Sequence, residues 1–229
     1  MRSWNAFNDW NPRSEVHRQT WIRRLNHYLS ETGLGGQDSV LLDYGCGGFD
    51  LGLALAPHCR AIDGYEPHLP SCIEASTASR FHSNSAVYNA ISDLPHNRYD
   101  VIVVNSVIQY MNSQSELDAF FDLCRSLLRT DGKKSILIAD IIPQGYSPYL
   151  DALESLRVAL NHGFFLEMLL HLIKSAINGH GTRLTRHDQK AFDELARGRG
   201  FRPHFLPENL TPSRRRYTCL LRLNASEMA

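Results

Sequence analysis

Asp43, Gly45, Gly47, Gly48 and Glu66 are the residues of this 229-residue chain whose types and spacing point most directly to chemistry. They lie in "VLLDYGCGGFDLGLALA" (Val40–Ala56) and "AIDGYEPH" (Ala61–His68). An apolar run feeds a glycine-rich turn, which opens onto a helical stretch. Backbone at such a turn approaches a ligand closely because glycine has no Cβ. A P-loop needs G-x-x-x-x-G-K-[ST], and no such lysine follows here. "DGKKS" (Asp131–Ser135) imitates the tail of that motif, but Leu127 stands at its first glycine and the stretch precedes a strand instead of following one. A pyrophosphate turn needs G-x-G-x-x-G. Asp50 occupies the sixth position and its carboxylate repels phosphate.

The remaining nucleotide-type ligand is S-adenosylmethionine, which carries an ammonium, a carboxylate and a sulfonium but no phosphate. Its zwitterionic end wants an acceptor beside backbone donors, and Asp43 stands two residues ahead of the first glycine. Glu66 closes the next apolar run about twenty residues on, where an acid accepts both ribose hydroxyls. A phosphate site gains nothing from Asp43; a methionine ammonium does. The simpler alternatives are that Asp43 caps the following turn and that Glu66 is a solvated strand-end acid. Phe49, at the place of a further glycine, packs under the helix while Gly48 supplies the close approach.

The elements that must position these residues follow from periodicity. "SEVHRQTWIRRLNHYLSE" reads as a helix with Val16, Trp21, Leu25 and Tyr28 on one face, ended by Gly33, Gly35 and Gly36. Strands are expected from Val40, over Cys59–Glu66, Ser85–Ala90 and Tyr99–Val107, and within "DGKKSILIADII". Helices are expected over 70–80 and Ser115–Leu128. This alternation predicts a parallel sheet with helices on both faces. One long helical stretch from Tyr149 to Asn178 follows, then a helix in "QKAFDELARGRG". Two final strands, "FRPHFLPEN" and "RRYTCLLRL", are expected to pair antiparallel at the sheet edge. The fold expected is thus an α/β three-layer sandwich with a mostly parallel seven-stranded sheet, its last strand antiparallel, and a helical insertion after strand five. It forms a single domain: an N-terminal helical lid (1–37), a cofactor-binding core (38–142), an insertion on the acceptor side (143–195) and a C-terminal strand pair (196–229).

From "LLDYGCGGF", "AIDGYEPH", "LP" followed by "YDVIVVNSVIQYM", and "LLRTDGKKSILIADII", in that order, the chain resembles the class I (Rossmann-like) S-adenosylmethionine-dependent methyltransferases over roughly residues 38–142. The resemblance implies a methyltransferase that binds S-adenosylmethionine and releases S-adenosylhomocysteine, with Asp43, Gly45, Cys46, Gly47, Glu66, Pro67, Asn89, Ala90, Ile91, Asn105 and Ser106 around the cofactor. Two positions depart from the family pattern: Phe49 replaces the last glycine, and Ala90 stands where an aspartate often meets the adenine amine. Asn89 or the Ile91 backbone substitutes there. "NSVIQYM" is similar to the corresponding motif of N-methyltransferase domains in nonribosomal peptide synthetases, and is unlike "[DN]PPY" of amino-DNA and glutamine methyltransferases. The acidic pair that holds magnesium in catechol-type enzymes is absent from the motif, so no metal is expected. The acceptor expected is a small molecule methylated on nitrogen or oxygen.

Methyl transfer is an in-line displacement governed by positioning, and a general base is needed only when the acceptor arrives protonated. Tyr146, His162 and His180 are the candidates carried forward, with Tyr149 and His187 beside them; the sequence does not choose. Asn105 and Gln109 either face the ligand or order their loop. Tyr110 reads as core and Cys46 as a small packed residue. Trp4, Phe7 and Trp10 either cover the cofactor or pack on the first helix. The run containing Phe164, Phe165, Leu166, Met168, Leu169 and Leu170 serves as acceptor pocket, core or dimer surface. "SRRR" (Ser213–Arg216) reads as a charged turn.

Lys+Arg and Asp+Glu balance at 24 each, so bulk charge recruits neither nucleic acid nor an anionic membrane. The five scattered cysteines, Cys46, Cys59, Cys72, Cys124 and Cys219, form no C-x-x-C pair and read as reduced thiols in a cytoplasmic protein. No secretory leader and no membrane span are expected. Three rival functions stay open: a nucleic-acid methyltransferase, an NAD(P)-dependent oxidoreductase, and a non-catalytic binding protein on the same fold.

Overall fold

The computed structural model describes residues 12–68, 85–132, 134–161, 163–177 and 184–223. The expected helix over 70–80, Trp4, Phe7, Trp10, Cys72, His162 and His180 lie outside them. In chain order the elements are α1 (Pro12–Thr32), β1 (Val40–Tyr44), α2 (Asp50–Leu55), β2 (Ala61–Tyr65), β3 (Val87–Tyr88), β4 (Val101–Asn105) and α3 (Gln114–Leu127). Then come β5 (Ser135–Ile141), α4 (Pro148–Asn161), α5 (Phe165–Ile177), α6 (Gln189–Gly198), β6 (Phe201–Phe205) and β7 (Tyr217–Leu223).

The seven strands form one sheet in the order β3-β2-β1-β4-β5-β7-β6. β1 pairs parallel with both β2 and β4, and β4 with β5; β7 runs antiparallel to β5 and to β6. The order reverses at β1, so the carboxyl ends of β1, β2 and β4 open the crevice where open α/β sheets take ligands.

Alternation within the buried strands sends side chains into two cores. Leu42, Val104, Ile102 and Ile138 pack against Phe120, Phe121, Phe192 and Phe201 on one face. Leu41, Val101, Val103 and Leu137 pack against Trp21, Leu25, Leu29 and Phe49 on the other. Each fully buried apolar side chain contributes roughly 1.5–3 kcal/mol. α1 therefore buries Trp21, Leu25 and Leu29 at helical spacing, and Tyr28, expected on the same face, packs partly buried against that cluster. Val16 joins a third, smaller cluster with Ala159, Phe164 and Met168. α3 starts on a capping box between Ser113 and Glu116, which satisfies two orphan helix donors.

Three expected elements differ in extent. The third strand is only Val87–Tyr88, because the chain turns into a single 3-10 turn at Ile91–Asp93. The fourth ends at Asn105, since Ser106 takes a left-handed backbone with φ 57°. The long helix from Tyr149 to Asn178 is two helices, α4 and α5, broken at Gly163, whose φ of 79° no helix accommodates. Among the described residues no helix is long and apolar enough to cross a membrane.

Candidate cofactor and acceptor site

β1 delivers Asp43 to the crevice. Parallel register sets Asp43 level with Gly64 of β2 and Val103 of β4. By the two-residue strand period, Asp43, Glu66 and Asn105 therefore belong to one face of the sheet. The Asp43 carboxylate is 4% exposed, and among the described residues nothing hydrogen-bonds it. Burial, then the charges of Glu66 and Asp50, push its pKa up from the ordinary 3.8 to about 7. It does not cap a helix: the N-cap of α2 is Phe49. An uncompensated buried carboxylate is costly unless a cation meets it.

The glycine turn is tied to β2. Gly45 N and Cys46 N both donate to the Tyr65 carbonyl, at 2.8 and 3.0 Å. Gly47 N donates to Glu66 Oε2 at 3.1 Å and His68 N to Oε1 at 3.1 Å. Glu66 is 6% exposed, so the reading as a solvated acid does not hold. Its two oxygens are aligned by two amides, which leaves lone pairs for a diol. Gly45 has φ 81°, and a Cβ there would overlap Val107 Cγ2, so the turn lies directly against the exit of β4.

Phe49 answers for the broken glycine pattern. It adopts the left-handed conformation itself (φ 59°, ψ 22°) and is 1% exposed. Its ring occupies the space that Cβ atoms would need at Gly52 and Gly64; at Gly64 a Cβ would lie 2.7 Å from Phe49 Cδ2 and 2.8 Å from Cys46 Sγ. Two glycines elsewhere in the chain thus accommodate the one that is missing. Cys46 is buried and its thiol pKa is pushed up strongly by burial and by Asp43 and Glu66, so it packs instead of reacting.

The other sequence candidates fall around this centre. Pro67 follows Glu66 at the surface; Asn89 is exposed, Ala90 half-buried and Ile91 46% exposed, at the turn after β3. Asn105 ends β4, level with Ala139 of β5, and its Oδ1 is buried without a hydrogen-bond partner among the described residues. Gln109 is buried too, its Oε1 equally unpartnered. Tyr110, read as core, is half-buried, and burial raises its pKa to about 12. Tyr149 is 72% exposed on α4, with no described contact to the crevice. His187 is buried, with Nε2 unpartnered, and lies edge-on to Phe192 at 6.1 Å; burial lowers its pKa.

Tyr146 belongs to a group that sequence reading missed. Arg216 Nη1 lies 2.5 Å from Asp140 Oδ2, and its Nη2 is 3.3 Å from the Tyr146 hydroxyl and 3.7 Å from Asp151 Oδ2. The guanidinium stands over the Tyr146 ring at 5.3 Å. Asp140 also accepts from Ser106 Oγ at 2.6 Å and Thr211 Oγ1 at 2.8 Å. "SRRR" is therefore no simple charged turn: Ser213 is buried and Arg216 is 13% exposed within an ion-pair network. The only sequence hint was an aspartate within an otherwise apolar run in "SILIADII".

No family model matches the chain, and no curated protein sequence matches it. Solved structures do. The magnesium protoporphyrin IX methyltransferase of Synechocystis PCC 6803, with bound SAH, superposes with a TM-score of 0.57 at 16% identity, covering 94% of this chain and 88% of that one. The 1,6-didemethyltoxoflavin-N1-methyltransferase of Burkholderia thailandensis, with its acceptor and S-adenosylhomocysteine bound, gives 0.59 at 16% identity, covering 90% and 78%. The N-methyltransferase NodS of Bradyrhizobium japonicum WM9 gives 0.51 at 15%, covering 90% and 94%. At these identities the likeness is one of fold: the chain has the architecture of the class I S-adenosylmethionine-dependent methyltransferases.

Proposed function

We propose that the protein is an S-adenosylmethionine-dependent methyltransferase acting on the nitrogen or oxygen of a small molecule. The observation that carries this reading is the pair of buried carboxylates at the glycine turn. Asp43 has no hydrogen bond and an elevated pKa, the state of an acid awaiting a cation. Glu66 is held by amides of the turn and the following residue. A methionine ammonium suits the first and a ribose diol the second. Pyrophosphate suits neither, which disfavours a dinucleotide. The fold shared with proteins that hold S-adenosylmethionine or its product supports the same reading.

S-adenosylmethionine, when bound, supplies an electrophilic methyl carbon on a sulfonium. The chain's part is orientation and exclusion of water. Asp43 would anchor the ammonium and Glu66 the ribose, with the turn at Gly45, Cys46 and Gly47 and the neighbouring Asn105 and Ser106 completing the residues that would hold the cofactor. Pro67, Asn89, Ala90 and Ile91 bound the adenine. Segment 143–195 is the acceptor side on this reading, and Tyr146, whose hydroxyl accepts from Arg216 Nη2 at 3.3 Å, is its described candidate for taking a hydrogen bond from an acceptor N–H or O–H. His162 and His180 remain candidates for the proton. Balanced charge and buried thiols favour a cytoplasmic protein with a small-molecule acceptor over a nucleic-acid enzyme.

Thermal unfolding with S-adenosylmethionine, S-adenosylhomocysteine and NADH tests this reading, since a ligand of the folded state raises stability by mass action. Stabilisation by the first two alone is expected. Stabilisation by NADH alone overturns the assignment of Asp43 and Glu66.

A further inference from the structure

Two residues that are not glycine take left-handed backbone here: Ser106 at φ 57°, where the chain leaves β4, and Asp140 at φ 66°, inside β5 where its pairing with β7 shifts register between Ile138 and Ile141. Such a conformation is unfavourable for an L side chain and persists only where the surroundings enforce it. The enforcing contact is between the two residues themselves, Ser106 Oγ donating to Asp140 Oδ2 at 2.6 Å. Glycine at 106 would adopt the same φ without strain, but would forfeit that bond.

Asp140 is 1% exposed, and its carboxylate is shared by three side chains from two chain segments. Ser106 comes from the exit of β4, Thr211 from the loop between β6 and β7, and Arg216 from just before β7. That loop is itself bound to α1, since Arg24 Nη1 donates to the carbonyls of Asn209 and Thr211 at 3.0 and 3.1 Å. One buried charge therefore fixes the turn directly after Asn105. Asn105 is one residue beyond the β1–β4 pair Tyr44–Val104, hence level with Gly45 of the glycine turn. Its Oδ1 is buried and unpartnered among the described residues, and by the pairing of Asp43 with Val103 it belongs to the face of the sheet that also carries Asp43.

We propose that Asp140 is a positioning residue for the cofactor: by locking the left-handed turn at Ser106 it holds the Asn105 side-chain oxygen beside Asp43 as a second acceptor for the ligand's ammonium. This rests on the S-adenosylmethionine reading above and extends it to a residue outside the glycine turn. Asp140 acts through Ser106 and Asn105 and touches no ligand.

The test uses S-adenosylhomocysteine as probe, with calorimetric affinity and thermal midpoint measured on each variant. Ser106→Gly relieves the backbone strain and removes the lock. The expected result is a midpoint equal to or above that of the parent together with affinity at least fivefold weaker, so stability and binding move in opposite directions. A merely structural role for the contact would move them together. In an Asn105→Ala background, Ser106→Gly should weaken binding no further, because the turn acts by presenting Asn105. Asp140→Asn should weaken binding at least as much as Ser106→Gly; should it fail to fold beside the unpaired Arg216, the Ser106 and Asn105 variants decide. A Ser106→Gly protein that binds as tightly as the parent, or losses that simply add in the double variant, overturns the proposal. A parent protein that does not bind the probe overturns the cofactor reading instead.

Discussion

With Asp43 as the proposed partner of the ammonium, ligand binding should depend on pH, and the burial of its carboxylate sets the size of the effect. With a pKa of about 7 in the free protein, the side chain must lose its proton before it can pair with an ammonium. Apparent affinity then scales as one over 1 + 10^(pKa − pH), so it falls by about tenfold between pH 8 and pH 6, since one pH unit corresponds to 1.36 kcal/mol. Binding should release close to one proton at pH 6 and about a tenth of one at pH 8. The sign for stability runs the other way from that of a paired aspartate. The folded state keeps its proton up to about pH 7 while the unfolded chain loses it near 3.8. The ligand-free protein is therefore destabilised progressively as pH rises from about 4 to about 7. The full cost above pH 7 is on the order of 4 kcal/mol.

Asp43→Asn separates the two effects in one variant. At pH 8 the ligand-free variant should be more stable than the parent, by up to about 4 kcal/mol in chemical denaturation. It should also bind S-adenosylhomocysteine at least tenfold more weakly, with no dependence on pH between 6 and 8. Calorimetry in buffers of different ionisation enthalpy counts the released protons. Equal parent affinity at pH 6 and pH 8, with no proton released, would refute the reasoning. So would an Asn variant that binds like the parent.

Glu66→Ala should lower affinity for S-adenosylhomocysteine by roughly 30-fold or more, since hydrogen bonds to a charged group contribute about 1.5–3 kcal/mol each; unchanged calorimetric affinity would remove the ribose assignment. Gly64→Ala places a Cβ 2.7 Å from the Phe49 ring and should destabilise the fold by about 1–3 kcal/mol through overpacking, read from the denaturation midpoint. Phe49→Gly restores glycine to the turn yet should cost about 3–5 kcal/mol for the cavity, less about 1 kcal/mol of relieved backbone strain. Tyr146→Phe should leave S-adenosylhomocysteine affinity within about twofold while slowing methyl transfer by about tenfold or more, measured on the acceptor that a panel of small amines and hydroxyl compounds returns; an unchanged rate would remove Tyr146 from the acceptor side.

The parts of this molecule legible in the sequence are those whose physics is local. The strand at Val40 and the acid–glycine spacing after it need only neighbouring residues to be interpreted, and the structure has an α/β sheet of the expected form with those residues at its switch point. Phe49 was legible in part: it packs under the helix as expected, but the space for its ring depends on Gly52 and Gly64, one in the next helix and the other in the next strand. Each of those glycines alone looks like an ordinary weak point in its element. The break of the long helix at Gly163 was written in the sequence, but apolar residues on either side masked it. Asp140 was the least legible. Its partners come from positions 106, 211 and 216, brought together only when β7 inserts antiparallel between β5 and β6. An aspartate within an apolar strand has no meaning until that insertion is known. Afterwards it is the point at which the β4 turn, the β6–β7 loop and, through Arg216, Tyr146 are joined. The sequence thus displays the groups proposed to meet a cofactor, since acid and glycine spacing in the turn after β1 and at the end of β2 is a local pattern, while the groups that hold those in place are dispersed along the chain and emerge only from the packing.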